Sequence, residues 1–133
     1  MENTLVIITP DAVRRGLVGE IIKRFEAKAL AIEHIEIRFM PIGFWVEQYS
    51  HLELPVRETV VDKMRNGPSV FINFVGDNAA KKGRAIIGST NADDAPLGTI
   101  RGDYGNGFDN MVQASDSPEA AREEIARLNR YGK

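Results

Sequence analysis

Residues Gly83–Ser117 read GRAIIGSTNADDAPLGTIRGDYGNGFDNMVQASDS, and no other stretch of the chain gathers glycines, arginines and short polar side chains at this density. A long segment without apolar periodicity is uncommon inside a compact domain unless it is functional or unstructured. Glycines such as Gly88 and Gly102 let the backbone turn sharply and come close to a ligand. Arg84 and Arg101 supply planar, permanently charged forks suited to phosphate oxygens. Thr90, Thr99 and Asn110 add neutral donors at intermediate positions. Together they predict an anion site that could hold a polyphosphate with a sugar attached. The competing reading is a surface loop that happens to carry two arginines, and no GxxxxGK[ST] phosphate loop is present to decide between them.

On the N-terminal side of this stretch, Ser69–Val75 alternates as a strand with Val70, Ile72 and Phe74 on one face, and residues 78–87 read as a helix capped by Gly88. On its C-terminal side, Met111 and Val112 predict a short fourth strand. Ser117-Pro118-Glu119 then opens a helix with a capping hydroxyl, proline at the first position and an acid in the first turn. Ala121, Ile125 and Leu128 give that helix its apolar stripe, and the residues after Leu128 are expected to fray.

The first half of the chain supplies the remaining elements. Leu5–Ile8 is a continuous apolar run that reads as a central strand buried on both faces. After Pro10 and Asp11, the apolar residues Leu17, Val18, Ile21, Ile22 and Phe25 recur at helical spacing. Arg14 and Arg15, just before them, read as a solvated turn. Residues 31–40 predict a second strand at a rim, where His34 lacks companions at metal-ligand spacing. Residues 42–54, with Phe44, Trp45 and Tyr49, predict a short helix. A second helix runs from Pro55 to Asn66, and such a hairpin suits a lid. This order allows two β-α-β halves, an α+β, ferredoxin-like βαββαβ fold. In it, a four-stranded antiparallel sheet carries helices on one face and the long loop forms the active site.

A chain of 133 residues suggests one domain over residues 1–133. A net charge of −2 gives no general attraction to nucleic acid or to an anionic membrane, so any anion site must be local. Without cysteine, disulfides and thiolate metal sites are excluded. The opening residues lack a leader or membrane-spanning pattern, which predicts a cytoplasmic protein.

The run GRAIIGSTNADDAPLGTIRGDYG followed by NMVQASDS resembles the active-site half of the nucleoside diphosphate kinase family, whose usual pattern is GR, G-x-TNP, PGTIRGD and N-x-x-HGSDS. The opening ITPDAVRRGLVGEIIKRFEAKAL is similar to the family's KPDGVQRGLVGEIIKRFE, and the likeness runs from Thr4 to about Leu128. The resemblance implies the ferredoxin-like fold, and phosphoryl exchange between nucleoside di- and triphosphates through a phosphohistidine. It also implies magnesium held through the nucleotide phosphates rather than by a protein metal site, and a homo-oligomer, hexameric or tetrameric. By position, it places Arg84, Thr90 and Arg101 on the phosphates and Asn110 on sugar and phosphate. Tyr49 falls near the nucleophile, Ser115 in the nucleophile's own motif, and Glu124 on the carboxylate that orients the histidine.

Four departures stand against an unaltered activity. Gln113 occupies the histidine position, and a carboxamide nitrogen, its lone pair delocalised into the carbonyl, cannot form a comparable phosphoramidate. Thr9 occupies the position of a lysine whose charge a hydroxyl cannot replace. Val56, with Val60 beside it, stands where an aromatic stacks on the base, which removes about 0.5–1.5 kcal/mol of aromatic interaction. The region before Met64 and the segment between Asp103 and Asn110 are each one residue short, so Gly107 has no secure counterpart. The resulting expectation is a nucleotide-binding pseudoenzyme. Its rivals are a weakly active kinase using His51 or direct transfer, and a structural or regulatory subunit that assembles with an active paralogue.

Overall fold

The computed structural model describes residues 1–107 and 109–132. Four strands, β1 (Glu2–Ile8), β2 (Ala31–Arg38), β3 (Ser69–Gly76) and β4 (Val112–Ala114), form an antiparallel sheet in the order β2-β3-β1-β4. With β1 paired on both sides, its residues meet protein above and below. This explains why Leu5–Ile8 is apolar without alternation.

Strand periodicity divides the core into two layers. Val6 and Ile8, with Val70, Ile72 and Phe74 across the ladder, face the helices α2 (Val18–Glu26) and α5 (Ala79–Ile87). Phe25 of α2 stacks on Phe74 with ring centroids 4.8 Å apart. Leu5, Ile7 and Phe71 face the opposite way, toward α3 (Ile42–Gln48), α4 (Leu54–Met64) and α7 (Pro118–Arg130). The two crossover helices of the ferredoxin-like motif thus share one face, as expected. The helices outside that motif cover the other, and Trp45 and Phe44 are the largest side chains buried there.

Several local features differ from the sequence reading. Pro10–Arg14 closes into a short helix, α1, and Arg14 and Arg15, exposed as expected, also tether it to neighbouring segments. Arg14 donates to the Asn66 carbonyl at 3.0 Å, and Arg15 donates to the Tyr104 carbonyl at 2.9 Å. The long segment is not irregular throughout, because Ala92–Asp94 forms a 3-10 turn and Ile100–Tyr104 forms the short helix α6. The fourth strand begins at Val112, since Met111 adopts a left-handed φ of 69°. The C-terminal helix continues to Arg130, beyond the predicted fraying point. Tyr131 packs edge-on against Phe44 at 5.3 Å, and Arg127 and Arg130 both pair with Glu47 on α3.

The glycines of the loop serve mainly the loop itself. A side chain at Gly102 would overlap the Pro96 carbonyl, and Gly88, at φ 93°, packs against Thr99. These positions let the segment fold back over α6 rather than admit a ligand to the backbone.

Candidate functional site

The α3–α4 hairpin stands opposite the long loop, and between them lies a cleft of about 980 Å³. Every site residue expected from sequence lines it except Ser115, which lies buried behind its wall, and Thr99, whose hydroxyl caps the helix α6. Arg84 arrives on α5, Arg101 on α6, Gln113 on β4, Glu124 on α7 and Tyr49 from the end of α3. Four separate helices and a sheet edge therefore converge on one volume.

Arg101 is the most constrained charge in the site. It is 4% exposed, and its guanidinium donates to the carbonyls of Gly88 at 3.2 Å and Val112 at 3.1 Å. Its buried Nε has no partner among the described residues, and neither has the buried Oδ1 of Asn110. Loss of water, then repulsion from Arg84, pushes the Arg101 guanidinium down to about 10. A cation placed this way is not satisfied by its own chain and favours an incoming anion. Arg84 is half-exposed, and its only carboxylate among the described residues is Asp116 at 3.2 Å, itself largely in solvent. An anion entering the cleft can therefore compete for Arg84 at little cost. Thr90 lies on the cleft wall, exposed.

Thr9 and Gln113 are each tied into the fold. Thr9 is the N-cap of α1: its hydroxyl accepts from the Ala12 amide at 3.2 Å and donates to the Met111 carbonyl at 3.3 Å. Gln113 accepts a hydrogen bond of 2.5 Å from the Tyr49 hydroxyl through its Oε1. Burial holds the Tyr49 phenol well above its ordinary range, so it stays protonated and a donor.

Glu124 is fully engaged by other partners. Ser115 donates to its Oε1 at 2.6 Å and Gln48 to its Oε2 at 2.8 Å. The Ser115 oxygen accepts in turn from the Leu5 amide at 2.9 Å, so the carboxylate is anchored to the central strand. Desolvation raises the Glu124 carboxyl above the usual range, with the two donors opposing the shift. Gln48 was not foreseen from sequence. Its amide oxygen accepts from Arg127 at 2.5 Å, which fixes which end of the amide faces Glu124.

The mouth of the cleft is apolar on its helical side. Val56 is 54% exposed, and Val60 is partly buried against the second core layer. Lys63 on α4 pairs with Asp109 on the loop, linking the two walls. His51 also lines the cleft, exposed, in the turn between α3 and α4. No group of three or more His, Asp or Glu side chains stands at metal-ligating distance among the described residues. No helix among them is long and apolar enough to cross a membrane.

Comparison with known proteins places this geometry in context. The family model described as nucleoside diphosphate kinase matches residues 2–130. The chain is 42% identical over 130 residues to a nucleoside diphosphate kinase of Acetivibrio thermocellus, covering 96% of each chain. It is 45% identical over 126 residues to one from Staphylothermus marinus, covering 93% of this chain and 89% of that one. Among solved structures, the apo nucleoside diphosphate kinase of Encephalitozoon cuniculi superposes with a TM-score of 0.94 at 37% identity, over 97% of this chain and 89% of that one.

Proposed function

The chain belongs to the nucleoside diphosphate kinase family, and from that premise we propose that it binds nucleoside di- and triphosphates without passing phosphate through a histidine of its own. The observation that carries the binding half is Arg101, a desolvated guanidinium that lines the cleft and whose buried Nε has no partner among the described residues. Arg84, Thr90 and Asn110 complete the cradle, and Val56 and Val60 offer an apolar seat for the base at the mouth. The donor set fits magnesium brought in by the polyphosphate: Arg84, Arg101, Thr90 and Asn110 would hold the phosphates, and the ion would supply further neutralisation of their charge.

The chemical half rests on Gln113 and Thr9. An amide does not form the phosphoramidate that two-step exchange requires, and the Thr9 hydroxyl is committed to capping α1. Tyr49, Ser115 and Glu124 then act as the frame of a binding site: Tyr49 fixes Gln113, and Ser115 with Gln48 holds Glu124. We place this activity in the cytoplasm.

Calorimetric titration of the purified protein with magnesium ADP tests binding, and incubation with γ-labelled triphosphate tests chemistry. Micromolar binding with no acid-labile label on the protein is the expected result. Stoichiometric acid-labile labelling, abolished by His51→Ala, overturns the chemical half in favour of His51. Absence of binding at millimolar nucleotide overturns the whole reading.

A second reading is favoured by edge strand β2, where Ile35, Ile37 and Phe39 are exposed together. Apolar side chains on an open edge suit assembly with further copies, as a homo-oligomer or beside an active paralogue. Size-exclusion chromatography with light scattering, alone and with such a paralogue, checks it.

A further inference from the structure

Gln113 occupies the deep end of the cleft as a donor, not as a void left by a missing nucleophile. Its Oε1 is taken by the Tyr49 hydroxyl at 2.5 Å, and its Nε2 has no partner among the described residues. The residue is half-buried and lines the cleft. An amide whose oxygen is held from behind turns its NH₂ the other way, into the open volume. Tyr49 is itself buried against Trp45, with ring centroids 6.2 Å apart, so the phenol that sets this orientation has a fixed position.

The polarity of the cleft says which part of a ligand arrives there. Its exposed end carries Val56 and Val60, which suit a base. Its buried end carries Arg101, whose guanidinium bonds the carbonyl of Val112, the residue next to Gln113. A nucleotide seated with its base outward runs its phosphates inward, and its last phosphate lies nearest Gln113. Two carboxylates, Asp116 and Glu124, also line this region. Glu124 is covered by Ser115 and Gln48, and Asp116, largely in solvent, is paired with Arg84. The neutral amide is then the group left to meet a terminal phosphate oxygen.

We infer that the Tyr49–Gln113 pair makes this a triphosphate-selective site, with Gln113 Nε2 donating to the terminal phosphate and Tyr49 as the positioning residue that aims it. This rests on the nucleotide-binding reading above and adds the class of nucleotide. The preference comes from one added hydrogen bond to a charged acceptor, about tenfold in affinity.

The test is calorimetry with magnesium ATP and magnesium ADP on the wild type, Gln113→Glu, Gln113→Ala and Tyr49→Phe. The wild type is expected to prefer ATP by about tenfold, because only ATP reaches the amide. Gln113→Ala should erase the preference by lowering ATP affinity to the level of ADP affinity, and Gln113→Glu should invert it by placing a carboxylate against the last phosphate. Tyr49→Phe keeps the ring in its packing place and should lower ATP affinity alone, an effect that general loosening of the fold would not confine to one nucleotide. A second measurement follows the Gln113 side-chain amide by ¹⁵N NMR. Its signals should shift with ATP and not with ADP, and should broaden in Tyr49→Phe.

Equal affinity of the wild type for both nucleotides, or a preference for ADP, overturns the inference and leaves nucleotide binding standing. A preference for ADP would mean that the amide oxygen, not the nitrogen, faces the cleft. If the wild type binds neither nucleotide, the binding reading fails first and the selectivity falls with it.

Discussion

Arg101→Met separates a ligand-binding arginine from a structural one. The substitution keeps an unbranched apolar stem and removes the charge. Two opposing effects follow in the free protein. Loss of the bonds to Gly88 and Val112 leaves two carbonyls without their donor, one of them buried, at about 1–3 kcal/mol for each buried group left unsatisfied. Removal of a desolvated cation acts the other way. Because the folded-state value of this base is depressed to about 10, the charge opposes folding at every pH below that value, and the opposition fades as pH rises from there toward the ordinary guanidinium range. At neutral pH it is present in full, so deleting the charge recovers it. The net change is expected within about 1 kcal/mol, or about 4 °C in Tm for a chain of this size. Ligand affinity has no such compensation. A charge-assisted bond to phosphate in a buried site is worth about 2–3 kcal/mol, so the Kd for magnesium ADP should rise roughly 30- to 150-fold. Differential scanning fluorimetry and calorimetry read the two quantities on the same sample. A Tm lowered by more than about 10 °C with unchanged ADP affinity would refute the reasoning and make Arg101 a strut of the loop.

Three further outcomes follow from the same contacts. Glu124 has a raised folded-state value, so its ionisation opposes folding: the Glu124 contribution to stability should be most favourable below the usual carboxylate range and fall as pH rises through the Glu124 value. Glu124→Gln should flatten that part of the Tm–pH curve, and parallel curves for the two proteins would show that the carboxyl is not desolvated in solution. Ser117→Ala removes the hydroxyl that accepts from the Ala120 amide at the start of α7, costing about 1 kcal/mol in urea unfolding without altering ADP affinity. Gln113→His alone should regain slow acid-labile labelling, but turnover should lie at least about a hundredfold below that of the Thr9→Lys, Gln113→His double variant, since the missing ammonium also stabilises developing charge; equal rates of radiolabelled phosphoryl exchange would show that position 9 is dispensable.

What the sequence disclosed and what it hid follow from the range of the interactions. Leu5–Ile8 announced a strand covered on both faces, and the alternation of Val70, Ile72 and Phe74 announced that these three share one face of β3, because both are local periodicities. The second helical layer was less legible. Leu5, Ile7 and Phe71 belong to it, but which elements meet them depends on how the α3–α4 hairpin and α7 fold back. The cradle residues were named through motif resemblance, and the cleft collects them. Their partners were not. Gln48 meets Glu124 from 76 positions away, and Lys63 meets Asp109 across 46. No local pattern marks such pairs. Thr9 is the exception, since Thr-Pro-Asp is an N-cap followed by proline at the first helical position, and the capping role could have been read directly.

The two divergent positions gain meaning when taken with their neighbours. A lysine at position 9 would project a charge toward the cleft, whereas Thr9 turns its oxygen to the Ala12 amide and closes a turn of helix. Gln113 likewise takes a defined partner in Tyr49 rather than standing free at the end of the cleft. Thr9 and Gln113 are thus both neutral and held by the fold. Arg101 is held too, by the carbonyls of Gly88 and Val112, yet it remains charged and dehydrated, with a buried Nε that has no partner among the described residues, an arrangement that opposes folding unless an anion is there to meet it. The contrast between a settled reaction centre and an unsettled phosphate clamp is the physical reason to expect a protein that holds nucleotides rather than one that turns them over.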